Sequence, residues 1–103
     1  MDKKMLNAIM EVKRKYEGEG FIILGVFGSF ARGEDDKGSD VDILFSCSED
    51  SFVKYPGLRF FALYERVKND LEHALNRKVE LADRNGLSEI GKKYILPEVV
   101  YVS

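Results

Sequence analysis

The chain is poor in most of the features that would take it outside the ordinary globular class. Its 103 residues include one cysteine, Cys47. No internal disulfide can form and no cysteine-rich zinc cluster can be assembled, which fits a reducing, cytoplasmic setting. With one histidine, His73, and no tryptophan, there is no second His or Cys at metal-ligand spacing. Two prolines and nine glycines are too few for a collagenous or low-complexity chain. The longest nearly unbroken apolar run, Phe21 to Gly28, falls far short of the ~20 residues of a membrane helix. Lys13-Arg14-Lys15 closes off a signal-peptide reading of the first segment. The expectation is a cytoplasmic protein with no membrane partner. An excess of positive charge is also missing: 16 basic against 18 acidic side chains leave a net charge of -2. Such a chain has no general field for a nucleic-acid backbone, and a broad polynucleotide surface is disfavoured.

What is present suits one small core. Apolar residues make up 45% of the chain and charged residues 33%, too hydrophobic for disorder. A chain of this size buries about two-thirds of its extended surface on folding. No repeat or linker interrupts it, so residues 1–103 are expected to form one domain. The acids are unevenly spread: Glu34, Asp35, Asp36, Asp40, Asp42, Glu49 and Asp50 fall in one stretch with a single base, Lys37. The plain reading of such a cluster is a solvated loop; the other is a cation site.

Periodicity supplies the elements. Met5, Ile9, Val12 and Tyr16 predict an amphipathic helix over residues 3–17, ended by Gly18 and Gly20. Phe21 to Phe27 lacks alternation and reads as a strand covered on both faces. Asp40 to Phe45 alternates, with Val41, Ile43 and Phe45 on one side and Asp40 and Asp42 on the other. Ser48 to Gly57 reads as a loop. A second helix is expected from Leu58 to Leu75 on a stripe of Phe60, Tyr64, Val67, Leu71 and Ala74, broken at Asn76-Arg77. Lys78 to Ala82 is a short strand with Glu80 facing away from Val79 and Leu81. Asn85-Gly86 marks a turn, Ser88 to Ile95 a third helix, and Val99 to Val102 a terminal edge strand.

One constellation carries chemistry. Gly28 directly after a buried strand permits a sharp turn. Ser29 beside it can cap a short helix and offer a hydroxyl with backbone N–H groups to an anion, which makes a phosphate seat. Asp40 and Asp42, at i and i+2 on a strand, place two carboxylates on one face. That is costly unless a divalent cation bridges them, which makes a Mg²⁺ seat. Each half alone is common in tight turns and on solvated faces; the order and spacing together are specific. Arg32 either pairs with phosphate or is a surface arginine tied to a loop acid.

Gly28-Ser29-Phe30-Ala31-Arg32-Gly33 followed by Ser39-Asp40-Val41-Asp42 resembles the nucleotidyltransferase superfamily that includes DNA polymerase β, whose signature is Gly-Ser, a short helix and loop, then Asp-x-Asp on the next strand. More narrowly it is similar to the minimal nucleotidyltransferase (MNT) family, with Gly-Ser-x-Ala-Arg-Gly and then Ser-Asp-(Val/Ile)-Asp. The likeness covers nearly the whole chain. It implies an α+β fold, a small mixed sheet packed against helices, with the Asp40 strand between the Phe21 and Lys78 strands. That family carries a third carboxylate, usually aspartate in Val-Asp-Leu; here the stretch is Val79-Glu80-Leu81. Glu80 is a departure, its extra methylene moving the carboxylate by about 1.5 Å. Asp83 is the alternative, but its odd spacing from Glu80 puts it on the opposite face.

The resemblance implies transfer of a nucleoside monophosphate from a Mg²⁺-bound triphosphate, ATP in the first instance, to a hydroxyl, with pyrophosphate leaving. Asp40, Asp42 and Glu80 would be both the catalytic acids and the ligands of two Mg²⁺ ions, and Gly28, Ser29 and Arg32 would hold the nucleotide. Family members are commonly antitoxins that transfer AMP to a tyrosine of a HEPN-domain toxin, so such a toxin is the expected partner and acceptor. Two alternatives stand beside this: a catalytically weak antitoxin acting by binding alone, and a subunit acting on a small molecule or RNA. Pairing of the chain with itself is left open. There is no P-loop motif and no EF-hand ligand order. His73 and Cys47 read as structural, and Phe52, Tyr55, Phe60, Phe61 and Tyr64 as core or interface material, with a base or partner pocket as the other reading.

Overall fold

The computed structural model of the chain describes residues 2–36, 38–48 and 57–102. Helix α1 (Lys3–Glu17) starts where the Asp2 carboxylate accepts the Lys4 N–H at 2.8 Å, satisfying one of the amides that a helix start leaves open. Arg14 and Lys15 in its last turn suit the negative end of the helix. Ile9, Val12 and Tyr16 enter the core, and Met5, Leu6 and Met10 pack against it.

Strand β1 (Phe21–Phe27) runs antiparallel to β2 (Val41–Cys47), with the register slipping between Ile23 and Gly25. An extra residue in one strand flips the parity of the positions beyond it. Phe21 and Ile23 are therefore buried before the slip and Val26 after it. This corrects the expectation of a strand covered on both faces: Ile22, Leu24 and Phe27 are only half-buried, and the bulge shifts which residues face the core.

β2 pairs in parallel with β3 (Val79–Asp83), and β1 antiparallel with β4 (Val100–Tyr101). The sheet order is β3-β2-β1-β4, an α+β arrangement with the Asp42 strand inside, as expected. Parallel neighbours need a long crossover, and helix α3 (Leu58–Leu75) lies within it; the one-turn helix α2 (Ser29–Arg32) lies between β1 and β2. Leu63, Val67 and Leu71 of α3 are fully buried, each burial contributing roughly 1.5–3 kcal/mol. The expected stripe is corrected at two points: Leu63 is a core residue, and Ala74 is exposed while Leu75 packs inward. Leu75 continues the four-residue row of Leu63, Val67 and Leu71. Phe21 and Phe45 stack with ring centroids 4.4 Å apart, and Tyr64 meets Phe45 edge-on at 6.0 Å.

Past β3 come a 3-10 turn (Arg84–Gly86), helix α4 (Glu89–Ile95) capped by Ser88, and a second 3-10 turn (Leu96–Glu98) leading into β4. Close approach of β4 to β1 requires Gly25, because a Cβ there would run into the Val100 carbonyl and the Val99 side chain. Most of the loop expected over Ser48 to Gly57, with Phe52 and Tyr55, lies outside the described residues. Among the described residues no helix is long and apolar enough to cross a membrane.

Candidate active site

β1 delivers the chain to Gly28, whose φ of 76° and ψ of -153° lie in a region that essentially only glycine occupies. Strand register sets Asp42 opposite Phe27, the residue just before the turn. A Cβ on Gly28 would collide with the Asp42 carboxylate, so the turn and the acid are packed flush. The cap of α2 is Gly28 and not Ser29; Ser29 is the first helical residue. That corrects the expectation of a serine cap. The Ser29 hydroxyl has no hydrogen-bond partner among the described residues. Gly33, in the left-handed conformation at φ 72°, ends the helix.

The segment leading to Asp40 is tied down before it reaches β2. The Asp36 carboxylate accepts from the Gly38 N–H at 2.9 Å and the Ser39 hydroxyl at 3.1 Å, and Ser39 Oγ accepts the Asp36 N–H at 2.9 Å. Arg77, just after α3, donates through Nη1 to the Asp36 carbonyl at 2.7 Å and the Ser39 carbonyl at 3.4 Å. Its guanidinium lies 5.1 Å from the Phe30 ring centroid. Val41 N–H then bonds the Lys78 carbonyl at 2.9 Å, opening the parallel ladder. Asp36, one of the clustered acids, thus serves the loop. A cleft of about 460 Å³ beside Asp40 is lined by Gly38, Ser39, Asn76, Arg77 and Lys78.

Asp40 stands immediately before β2, Asp42 is its second residue, and Glu80 of β3 is the register partner of Asp42. Asp42 and Asp40 are half-buried and Glu80 is exposed. Burial first, then the charges of Asp40 and Glu80, push the Asp42 carboxyl above the usual carboxylate range, with the Arg32 cation opposing. Strand register thus sets Glu80 beside Asp42, with Asp40 two residues before it, and the charges of both act on the Asp42 carboxyl. Among the described residues no group of three His, Cys, Asp or Glu side chains is arranged to hold a metal ion, so the expected three-acid ligand set is not assembled as such. The oxygen-only donors and the under-compensated charge of Asp42 fit Mg²⁺, which is usually held by one or two carboxylates with the remaining positions filled by water and phosphate.

Arg32 is tied to acids: Nε donates to Glu34 at 3.0 Å, and Nη1 lies 3.2 Å from both oxygens of Glu98. Glu98 Oε1 also accepts the Gly28 N–H at 3.1 Å. Sequence reasoning missed Glu98, a lone acid between Pro97 and Val99 with no pattern around it. The one signal was Gly25, a glycine inside a strand, which marks close approach of another backbone. Asp83 is not in the acid group; its side chain accepts the Asn85 N–H at 2.9 Å and caps the 3-10 turn after β3. His73 is exposed on α3, and Cys47 packs against the core at the end of β2.

This arrangement has relatives. Residues 7–101 match the family described as Polymerase beta, Nucleotidyltransferase. Protein adenylyltransferase MntA of Thermococcus cleftensis is 36% identical over 99 residues, spanning 94% of this chain and 92% of that protein. A solved chain assigned to the minimal nucleotidyltransferases superposes with a TM-score of 0.72 at 31% identity, covering 97% of this chain and 95% of the other. A toxin–antitoxin crystal structure with AMP-PNP has the same TM-score, 0.72, at 21% identity, covering 95% and 72%; that likeness is one of fold. The chain belongs to the polymerase beta nucleotidyltransferase family, and within it to the minimal nucleotidyltransferases.

Proposed function

We propose that this chain transfers AMP from Mg-ATP to a hydroxyl of a partner protein in the cytoplasm. It would act as the antitoxin of a pair whose toxin is a HEPN-domain protein carrying the acceptor tyrosine. The observation that carries this is Asp42, held between the glycine-only turn at Gly28 and its register partner Glu80, with Asp40 two residues away. Further support comes from the adenylyltransferase name of the Thermococcus cleftensis relative, which the chain matches nearly end to end, and from the AMP-PNP in the toxin–antitoxin structure.

In this reading the acceptor oxygen attacks the α-phosphorus and loses its proton. The new O–P bond forms as the bond from the α-phosphorus to the bridging oxygen breaks, and pyrophosphate departs. Asp40 and Asp42 would hold the divalent ions, two being expected, and Glu80 would complete the second position. When bound, Mg²⁺ neutralises phosphate charge and lowers the cost of ionising the acceptor hydroxyl. Ser29 and the Gly28 turn, with Arg32 beside them, receive the phosphates. Glu80, exposed and one methylene longer than aspartate, would take the acceptor proton through a flexible side chain.

Glutamate at position 80, where the family usually carries aspartate, supports a second reading, an antitoxin acting by binding alone. Incubation with Mg²⁺, ATP and the product of the adjacent gene, followed by mass spectrometry, separates them. The first reading expects the partner to gain the mass of one AMP. A stable complex without added mass supports the second, and the absence of both complex and added mass would contradict the antitoxin assignment.

A further inference from the structure

Glu98 lies outside the motif in sequence, yet it is the acid that grips the motif's turn. Its Oε1 accepts the Gly28 N–H at 3.1 Å, and both its oxygens lie 3.2 Å from Arg32 Nη1. The carboxylate is held by the fold: its side chain is only 28% exposed. Pro97 fixes the 3-10 turn that carries it. The next residues pair with β1 at Val26↔Val100 and Gly25↔Tyr101, and the Val102 N–H bonds the Leu24 carbonyl at 3.0 Å. The absence of a Cβ at Gly25 allows this contact. The C-terminal strand thus brings one carboxylate to the start of α2.

We propose that Glu98 is a positioning residue that sets the Gly28–Ser29 turn and aims Arg32 at the phosphates of the bound nucleoside triphosphate. This rests on the nucleotide reading given above. Glu98 uses donors at the margin of the turn: the Gly28 N–H and Nη1 of Arg32. The Ser29 hydroxyl and Nη2 of Arg32 have no partner among the described residues and stay available to an anion. Glu34 holds the third guanidinium nitrogen, Nε, at 3.0 Å. An arginine on a one-turn helix would otherwise lose its rotamer freedom at the moment of binding. Fixed by two carboxylates, it meets that cost in the unliganded protein, which is preorganisation.

A carboxylate against an amide and a guanidinium also resembles a bound phosphate. The rival possibility therefore makes Glu98 a competitor that nucleotide must displace. The two differ in sign. Calorimetric titration of Mg-ATP, with AMP as the comparison ligand, would be run on the wild-type chain, Glu98→Ala, Glu98→Gln, Arg32→Ala and the double variant Arg32→Ala/Glu98→Ala. Glu98→Ala is expected to weaken Mg-ATP binding about tenfold, the scale of a lost charge-assisted contact, with AMP affinity unchanged. Glu98→Gln should recover part of the loss, since its carbonyl oxygen still accepts the Gly28 N–H. In the Arg32→Ala background the Glu98→Ala loss should be smaller than in the wild-type chain.

A merely structural role would lower melting temperature without separating ATP from AMP. Equal losses for both ligands, no loss, or tighter Mg-ATP binding in Glu98→Ala would each overturn the proposal. If Glu98→Ala does not fold, the near-isosteric Glu98→Gln carries the same comparison. No Mg-ATP binding by the wild-type chain would defeat the nucleotide reading and this inference together. Binding by the wild-type chain that Glu98→Ala leaves unchanged would defeat this inference alone.

Discussion

Replacing Gly28 with alanine probes the contact on which the site is built. At φ 76° and ψ -153° a side chain costs roughly 1–3 kcal/mol in backbone strain. The added Cβ also overlaps the Asp42 carboxylate, and relieving such overpacking costs a further ~1–3 kcal/mol. The sum, roughly 2–6 kcal/mol, is a large part of the ~5–15 kcal/mol that holds a small domain together. At about 4–8 °C per kcal/mol for a chain of this length, Gly28→Ala should melt at least ~8 °C below the wild-type chain. Because relief comes by moving Asp42, divalent-dependent nucleotide binding should fall further than the melting temperature alone implies. Gly18→Ala is the control: φ there is -66° and nothing lies within 4 Å of the new Cβ. It should change stability by no more than ~0.5 kcal/mol. Thermal melts and Mg-ATP titration of the three proteins decide the matter. Wild-type stability and affinity in Gly28→Ala would refute the packing of turn against acid.

Other perturbations test separate links. Leu63→Ala should cost about 2–5 kcal/mol by opening a cavity at a fully buried position, whereas Ala74→Ser on the exposed side of α3 should stay within ~0.5 kcal/mol; denaturant melts check both. Tyr16→Phe removes the hydroxyl that donates to Asp70 and should cost roughly 0.5–1.5 kcal/mol. Hydrogen bonds from Lys15 and then Tyr16 hold the Asp70 carboxyl below its ordinary value of 3.8, so the native state binds fewer protons than the unfolded chain just under that value. The stabilisation is fully present only well above 3.8 and is lost as pH falls through the lowered folded value. Asp70 is about one-third exposed, 35%, so solvent damps the effect, but the acid limb of the stability curve should be shallower in Tyr16→Phe. Glu80→Gln should slow AMP transfer about 100-fold if Glu80 takes the acceptor proton, as read by single-turnover labelling; an unchanged rate would remove it from the chemistry.

The parts of the fold governed by local chemistry were readable in the sequence. The α1 stripe, the span of α3, and the alternation that separates Asp42 from Val41 and Ile43 all come from side-chain period, and all stand in the structure. The pairing of Asp42 with Glu80 came through the family likeness, because strand order is not a local property. The features that escaped were tertiary. The bulge in β1 hid in an apolar run that looked buried on both sides, and the end of the α3 stripe follows the four-residue row Leu63, Val67, Leu71, Leu75 rather than turning to Ala74. Arg77 gave no sign that it would fasten the Asp36–Ser39 segment. Glu98 reaches Gly28 only because β4 folds back on β1, 70 residues away along the chain.

The most direct measurement is calorimetric titration of a non-hydrolysable ATP analogue into the wild-type chain and into Asp40→Asn/Asp42→Asn, each with and without Mg²⁺, with circular dichroism confirming the fold. If the two aspartates hold the metal beneath the triphosphate, the wild-type chain binds saturably and only with Mg²⁺, and the folded double variant does not bind. Superimposable titration curves from the two proteins would contradict that role.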